Sequence, residues 1–168
     1  TYNFTHSTFN NQSSSSTQYA VIIDNYFEEA NGNKVAFELT AANFTNCIIY
    51  GSNSRQFVLS KDNSKTFNYK FTNCLLKFNN SDSFYSQNPL YQFDDSNLYS
   101  NCIIAKNNSD FKADFLKPSE NKLQIGADSA AKGTGNPAFS AGTSDILGNS
   151  RGNSSDMGAY NSVVFLID

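Results

Sequence analysis

Phe44-Thr45-Asn46-Cys47-Ile48-Ile49 is the stretch of sequence that decides the fold, because the chain contains two further versions of it. These are Phe71-Thr72-Asn73-Cys74-Leu75-Leu76 and Tyr99-Ser100-Asn101-Cys102-Ile103-Ile104, at offsets of 27 and 28 residues. The likeness continues through Asn53-Ser54-Arg55, Asn80-Ser81-Asp82 and Asn108-Ser109-Asp110, each beginning nine residues after its aromatic residue. A period of this length is typical of stacked supersecondary units.

The repeated unit consists of strands. Val35-Phe37-Leu39 and Phe67-Tyr69-Phe71 alternate with polar residues just before the repeated phrase, which is the strand period of two. The 24 Asn and 23 Ser residues suit many tight bends between short strands. We therefore predict an all-β fold, a right-handed parallel β-helix (solenoid), formed by its C-terminal coils and a capping tail.

Parallel stacking of the copies would align equivalent side chains into ladders about 4.8 Å apart. Asn46, Asn73 and Asn101 would then form a corner ladder whose amides bond the backbone of the bend. The period of two places the cysteines on the face of the interior aliphatic residues. We interpret Cys47, Cys74 and Cys102 as a buried thiol ladder, because stacked Cβ atoms lie slightly too far apart for a disulfide.

The ladders also include aromatic and aliphatic residues. Phe44, Phe71 and Tyr99 are expected to stack, and Ile49, Leu76 and Ile104 to line the interior. Phe4-Thr5 with Thr8-Phe9-Asn10-Asn11 is a candidate fourth, degraded copy. We place the repeats in residues 1–116, with the first copy and an insertion at 10–34 the least defined, and a last coil and capping tail of the same domain in 117–168.

Composition excludes some classes of function. Charged residues make up 16% of the chain and its net charge is −3, so we expect no nucleic-acid partner. No run approaches 18 apolar residues, so we expect no membrane span. The chain begins at Thr1 with neither an initiator Met nor a leader, so any signal peptide would have been removed or lie outside it. We expect a monomer.

The end of the chain resembles a known tail. Gly135-Asn136-Pro137-Ala138-Phe139-Ser140-Ala141-Gly142, Asp145-Ile146-Leu147-Gly148-Asn149-Ser150-Arg151 and Asp156-Met157-Gly158-Ala159-Tyr160 occur in that order. They resemble the tail of secreted β-helix proteins of the pectate-lyase-like superfamily, common in Bacteroidetes, and the Asn-Cys repeats are similar to the coils of those proteins. Phe139-Ser140 and Asn161 replace Ile-Asp and Glu of that pattern. The resemblance implies an exported protein, secreted or at the outer cell surface or periplasm and near polysaccharide, without implying a reaction.

The tail is expected to cap the open end of the stack, whose strand edges would otherwise invite aggregation. Arg151 between Asp145 and Asp156 would hold the tail by charge-assisted bonds. The alternative is a calcium site formed by Asp145, Asn149 and Asp156, although Arg151 would oppose a cation. Apart from this possible Ca²⁺, we expect no cofactor.

The sequence offers no catalytic motif. His6, the only histidine, has no nearby Ser in a Gly-x-Ser-x-Gly turn, and we interpret it as structural. Stacking would bring Asp82 close to Asp110, a spacing that suits a glycosidase carboxylate pair or equally a solvated loop. A lyase would use acids and bases drawn from Asp62, Asp94, Asp95, Arg55, Lys70 and Lys77, with no motif linking them.

Aromatic residues in or beside the loops are the better hint of function, since sugar rings stack on aromatic faces. They are Tyr50, Phe57, Phe84, Tyr85 and Tyr91, and the alternative for each is a place in the core or on the sheet surface. We predict a non-catalytic module of an exported bacterial cell-envelope protein, serving adhesion or contact with a polysaccharide or cell-surface glycan. The alternatives are the distal part of a polysaccharide lyase or glycoside hydrolase with upstream catalytic coils, and a structural spacer.

Overall fold

The computed structural model describes residues 1–15, 17–152 and 155–166. Short strands dominate, with one four-residue helix, α1 (Ser83–Ser86), and three 3-10 turns at Pro89–Tyr91, Pro118–Glu120 and Pro137–Phe139. The strands are β1 (Tyr2–Thr5), β2 (Thr8–Asn11), β3 (Val21–Asp24), β4 (Tyr26–Glu28), β5 (Lys34–Ala36), β6 (Leu39–Thr45), β7 (Ile48–Gly51), β8 (Phe57–Ser60), β9 (Phe67–Thr72), β10 (Leu75–Lys77), β11 (Tyr99–Ser100), β12 (Ile103–Ala105), β13 (Phe115–Lys117) and β14 (Lys122–Ile125).

The repeated phrase pairs with itself in register. Its aromatic half forms sheet 1, in the parallel order β1-β6-β9-β11, and its aliphatic half forms sheet 2, in the order β2-β7-β10-β12. Phe4 pairs with Phe44, which confirms Phe4-Thr5 and the following strand as a fourth copy. We call the copies repeats 1 to 4 in chain order.

The bend between sheets 1 and 2 has the same backbone conformation in all four repeats. Asn46, Asn73 and Asn101 have φ values of 52°, 49° and 52°, and His6 occupies the equivalent position with 49°. Asn adopts this left-handed region more readily than most residues. The backbone requirement explains why the phrase keeps its Asn.

The interior follows the predicted ladders. Rings of Phe4, Phe44 and Phe71 stack at 4.8 Å between successive centroids, and Tyr99 follows Phe71 at 5.5 Å. Ile49, Leu76, Cys47 and Cys74 are fully buried in the same cluster, while Ile104 and Cys102 are partly buried against it. The stacked aromatic and aliphatic interior is confirmed.

The prediction of a right-handed parallel β-helix is nevertheless wrong for this chain. A third parallel pair joins only β3 and β8, so three parallel sheets coexist only between repeats 1 and 2. The pairs β4–β5 and β13–β14 are antiparallel. Within the described residues the strands form several short sheets of both kinds and no closed solenoid, because the segments after repeats 3 and 4 become turns and hairpins instead of a third sheet.

The chain after repeat 4, from Ala113 to Met157, packs against one side of the strands. Ile48, Tyr50 and Leu75, on the outer face of sheet 2, form a second buried cluster with residues of that segment. Its members there include Ala113, Ile125, Ala131 and Met157. The tail therefore lies along the repeats, against the outer face of sheet 2, where the sequence had suggested a cap over their end.

The chain between repeats 1 and 2 carries the antiparallel β4–β5 hairpin, which lies within the predicted insertion and extends just beyond it.

None of the helices in the described ranges has the length and apolar character needed to cross a bilayer. The predicted boundary at residue 116, between the repeats and the last coil with its tail, stays a prediction.

Candidate functional site

Three of the five aromatic residues predicted to contact sugar are buried. Phe57 is fully buried, Tyr91 is 2% exposed and Tyr50 is 7% exposed. The Tyr91 hydroxyl accepts a hydrogen bond from the backbone N–H of Leu59 at 2.8 Å. Tyr50 and Phe57 lie on strands β7 and β8 and Tyr91 ends a 3-10 turn, and all three rings pack in the buried clusters, so their prediction as surface contacts is wrong.

Phe84 and Tyr85 lie together at the short helix α1. Phe84 is 69% exposed, whereas Tyr85 is partly buried against Phe78 and Tyr91. The Arg55 guanidinium lies 4.2 Å from the centre of the Tyr85 ring and forms an ion pair with Asp82. Of the predicted aromatics, Phe84 alone keeps most of its side chain available to a ligand.

Asp82 and Asp110, the candidate carboxylate pair, each bond to other partners. Asp82 pairs with Arg55 and caps α1 by accepting the backbone N–H of Tyr85 at 3.1 Å. Asp110 accepts a hydrogen bond from the Asn107 side chain at 2.6 Å. The parallel ladder between repeats 3 and 4 ends at Lys77 and Ala105, before these loops, so nothing in the sheet holds the carboxylates at strand spacing. The solvated-loop alternative fits both residues.

The Asp145 carboxylate, a candidate calcium ligand, is already occupied by hydrogen-bond donors. Its two oxygens accept backbone N–H groups of Leu147, Asn149 and Asn161 and the side-chain amide of Asn149, at 2.8–3.2 Å. Burial by itself would raise the pKa of Asp145, but these hydrogen bonds hold the pKa below its ordinary value. Across the described ranges no cluster of three acidic, Cys or His side chains has metal-binding geometry.

Asp156 and Arg151 are buried, but the predicted charge-assisted bonds between them are absent among the described residues. Asp156 accepts backbone N–H groups of Gly133 and Ser162 at 2.7 and 2.6 Å. Arg151 donates to the carbonyl oxygens of Asp156 and Gly158, at 3.4 and 2.9 Å. Burial lowers the pKa of Arg151, and the nearby charges of Asp145 and Asp156 oppose that shift. Arg151 holds the tail through carbonyl groups because the turn presents these, and not the carboxylates, to it.

Two of the three corner asparagines, Asn46 and Asn73, bind the tail, and Asn46 also lies 3.2 Å from Nε2 of His6, the corner residue of repeat 1. Asn46 donates through Nδ2 to the Asn136 carbonyl at 3.0 Å and accepts the Asn136 N–H at 2.7 Å. Asn73 donates to the Thr134 carbonyl at 3.2 Å, and Asn101 is exposed. The prediction that their amides would bond the backbone of the bend is therefore wrong. The tail supplies the partners instead.

His6 contacts a serine hydroxyl, that of Ser140, and no pattern in the sequence predicted this contact. Its Nε2 lies 2.9 Å from Oγ of Ser140, 134 residues away, and Ser140 also hydrogen-bonds Ser155. Ser140 is fully buried, and Nδ1 of His6 has no hydrogen-bond partner within the described part of the chain. A hydrolytic triad would need an accessible serine and an acceptor at Nδ1. The cluster therefore links repeat 1 to the tail.

The thiols behave as the sequence predicted. Cys47, Cys74 and Cys102 are all free, and the Sγ of Cys74 accepts the backbone N–H of Cys47 at 3.4 Å. Burial raises the pKa of Cys74 well above its usual value. Cys47 and Cys74 therefore belong to the core, whereas Cys102 is partly buried at its edge.

A groove on the outer face of sheet 1 is the best candidate site. It has a volume of about 430 Å³. Thr5, Thr45 and Thr72 occupy successive in-register positions across it, about 4.8 Å apart by strand spacing. We call it the sheet 1 groove, and its lining residues are Asn3, Phe4, Thr5, Asn43, Thr45, Lys70, Thr72 and Phe139.

A parallel polar row accompanies the threonines. Asn3, Asn43 and Lys70 share the next outward register position, and Asn43 donates to the Asn3 side chain at 2.9 Å. Lys70 is the one charged residue of the lining, and Phe139 adds a ring that is 47% exposed. The groove thus combines hydroxyl and amide groups with one cation and one aromatic face.

Part of this groove could have been found in the sequence. The Thr or Ser that follows each aromatic residue of the phrase must face outward when the aromatic faces inward. Phe139 carried no such signal, because its position beside sheet 1 depends on the path of the tail.

Comparisons of the chain with protein-family models, with curated proteins and with solved structures each found no match. The resemblance of the tail and repeats to the pectate-lyase-like superfamily therefore stays a prediction.

Proposed function

We propose that the chain is a non-catalytic module of an exported bacterial cell-envelope protein and that it contacts polysaccharide through the sheet 1 groove. The observation that carries the proposal is the in-register row of Thr5, Thr45 and Thr72 beside the exposed ring of Phe139. Hydroxyl and amide groups can both donate to and accept from sugar hydroxyls. The ring supplies an apolar face on which a sugar can stack.

The regular spacing favours a polymer over a single small ligand. The same hydroxyl group recurs at each strand, so a linear chain crossing the strands meets equivalent partners repeatedly. Lys70 can bond oxygen-bearing substituents of such a chain. Neighbouring Asn43 offers an amide at the same level.

A glycan array followed by affinity electrophoresis on the polysaccharides found tests the proposal. Phe139→Ala and Thr45→Val should each weaken retention about tenfold, which corresponds to ~1.4 kcal/mol. Phe84→Ala is the matched control, since Phe84 is an exposed phenylalanine outside the groove, and its retention should equal that of the wild type.

The alternatives predict other results. A glycan array without any binding would contradict glycan contact and would favour the alternative of a structural spacer. Loss of binding in Phe84→Ala with retention in Phe139→Ala would place the contact at α1. Unsaturated products released from a uronate polymer, and abolished by a chelator, would identify a lyase.

A further inference from the structure

The three cysteines form a row of stacked thiols that is accessible at one end. The strands of repeats 2, 3 and 4 pair in register on both sides of the bend, so Cys47, Cys74 and Cys102 occupy level positions. Cys47 and Cys74 are fully buried, whereas Cys102 is partly exposed. The row therefore begins inside the core and reaches solvent at repeat 4.

The spacing of the row is too wide for a disulfide but suits a metal ion between two thiolates. Equivalent positions on neighbouring parallel strands lie about 4.8 Å apart. A bond between a thiolate and a first-row d10 ion is about 2.3 Å long, so two thiolates on opposite sides of one ion lie about 4.6 Å apart. Zn²⁺ needs four ligands, whereas the equally thiophilic Cu(I) accepts two in a line. A straight row of thiols therefore favours Cu(I).

The sulfur atoms of Cys74 and Cys102 already have hydrogen-bond donors that stabilise a thiolate. Sγ of Cys74 accepts the backbone N–H of Cys47 at 3.4 Å. Contact with the Cys74 thiol, together with a hydrogen bond from the Cys74 backbone, lowers the pKa of Cys102. Burial raises the pKa of Cys74, but a coordinated cation displaces the thiol proton outright. Both sulfur atoms can therefore serve as ligands.

The surroundings of the two thiols do not depend on their protons. The S–H of Cys102 donates to the Ser100 carbonyl at 3.6 Å, and that carbonyl also accepts the backbone N–H of Asn73 at 2.8 Å. The Thr72 carbonyl, an acceptor of the Cys74 thiol at 3.4 Å, likewise has a backbone N–H donor of its own. Loss of the thiol protons therefore leaves both carbonyls paired, so it does not carry the cost of a stranded polar group.

We propose that Cys74 and Cys102 bind one Cu(I) ion between two thiolates in a line, at the accessible end of the row. Each thiol releases its proton to solvent as its sulfur–copper bond forms, and nothing is oxidised or reduced. The inner pair, Cys47 and Cys74, has the same spacing but no exposed member through which an ion could enter. This site lies in the interior, apart from the sheet 1 groove, and is independent of glycan contact.

Anaerobic titration of the reduced full chain with Cu(I), against a colorimetric Cu(I) chelator, tests the proposal. The wild type should retain one Cu(I) per chain, and X-ray absorption should show two sulfur ligands. Cys102→Ser should weaken Cu(I) binding at least about a hundredfold, since loss of an outer partner of a ligand already costs roughly 10–100-fold. Ser7 occupies the equivalent position of repeat 1, so serine fits this place in the fold, as circular dichroism should confirm.

Cys47→Ser is the matched control, because Cys47 belongs to the same row but lies outside the proposed pair. Its affinity for Cu(I) should equal that of the wild type. Complete loss of copper from the wild type to the chelator overturns the proposal. So does a Cys47→Ser variant as weak as Cys102→Ser, which indicates a cluster on all three thiols. A Cys102→Ser variant with the affinity of the wild type overturns it as well.

Discussion

Asn46 and Asn136, ninety residues apart, exchange two hydrogen bonds, at 3.0 and 2.7 Å. One residue belongs to the bend of repeat 2 and the other to the C-terminal tail. Asn46 is fully buried and also meets Ser155 at 3.3 Å. The corner asparagine of repeat 2 thus holds the C-terminal tail in place.

Replacement of Asn46 by Ala should lower the free energy of unfolding by about 1–3 kcal/mol more than Asn101→Ala. Both variants place Ala in the left-handed region, at a cost of roughly 1–2 kcal/mol. Asn46→Ala also leaves the half-buried N–H of Asn136 without its partner, at about 1–3 kcal/mol, whereas the Asn136 carbonyl keeps a bond from Oγ of Ser155 at 3.4 Å. Urea denaturation of both variants measures the difference. Equal losses would show that the tail bonds contribute nothing.

Gly158 should not tolerate a side chain. Its φ is +87°, and a Cβ would lie 2.6 Å from Cδ1 of Ile48 and from Oγ1 of Thr8. Gly158→Ala is expected to lower the melting temperature clearly more than Gly148→Ala, which has φ +86° and no atom within 4 Å of its Cβ. Both variants place Ala at a positive φ and share that backbone cost. The difference between their melting temperatures, measured by calorimetry, therefore reports the contact of residue 158 with Thr8 and Ile48. Similar shifts would argue against that contact.

Stability should fall below neutral pH because of His6. Burial, followed by the charge of Arg151, lowers the pKa of His6 from its ordinary value of 6.5. The unfolded chain therefore binds a proton at a higher pH than the folded chain, and the free energy of unfolding decreases as the pH falls through 6.5 towards the folded pKa.

The variant His6→Asn tests this directly, since Asn is the residue at the same bend in the other repeats. Urea denaturation at pH 7.5 and 5.5 should show a loss of stability in the wild type that His6→Asn largely removes. The range lies above the titration of ordinary carboxyl groups. An identical pH dependence in the two proteins would contradict the assignment.

The three thiols should react in an order set by burial. Cys102 is partly exposed, whereas Cys47 and Cys74 are fully buried and burial raises the pKa of Cys74. Alkylation of the native protein, resolved by peptide mass, should label Cys102 first and Cys74 last, because the thiolate is the reactive form. In denaturant the three should react alike. Early labelling of Cys74 would be inconsistent with the core ladder.

The parallel stacking of the repeats was predictable because it depends on local chemistry. An aromatic residue two positions before an Asn in a left-handed bend sets the inward face of one strand, and the bend turns the chain into the next. The candidate site was less predictable. Thr45 follows from the alternation of the strand, but Phe139 reaches sheet 1 only through the fold of the tail.

By itself the sequence determined the pairing register, the Asn bend and the stacked interior, because each is set by a period that residues a few positions apart enforce. The tertiary structure alone decided how far that pattern extends and what covers it. Phe57 and Tyr91 turned inward, the third parallel pair ended after repeat 2, and the tail came to lie beside Asn46. These outcomes depend on packing between segments far apart in the chain, where burial of apolar area and satisfaction of buried polar groups compete over the whole molecule.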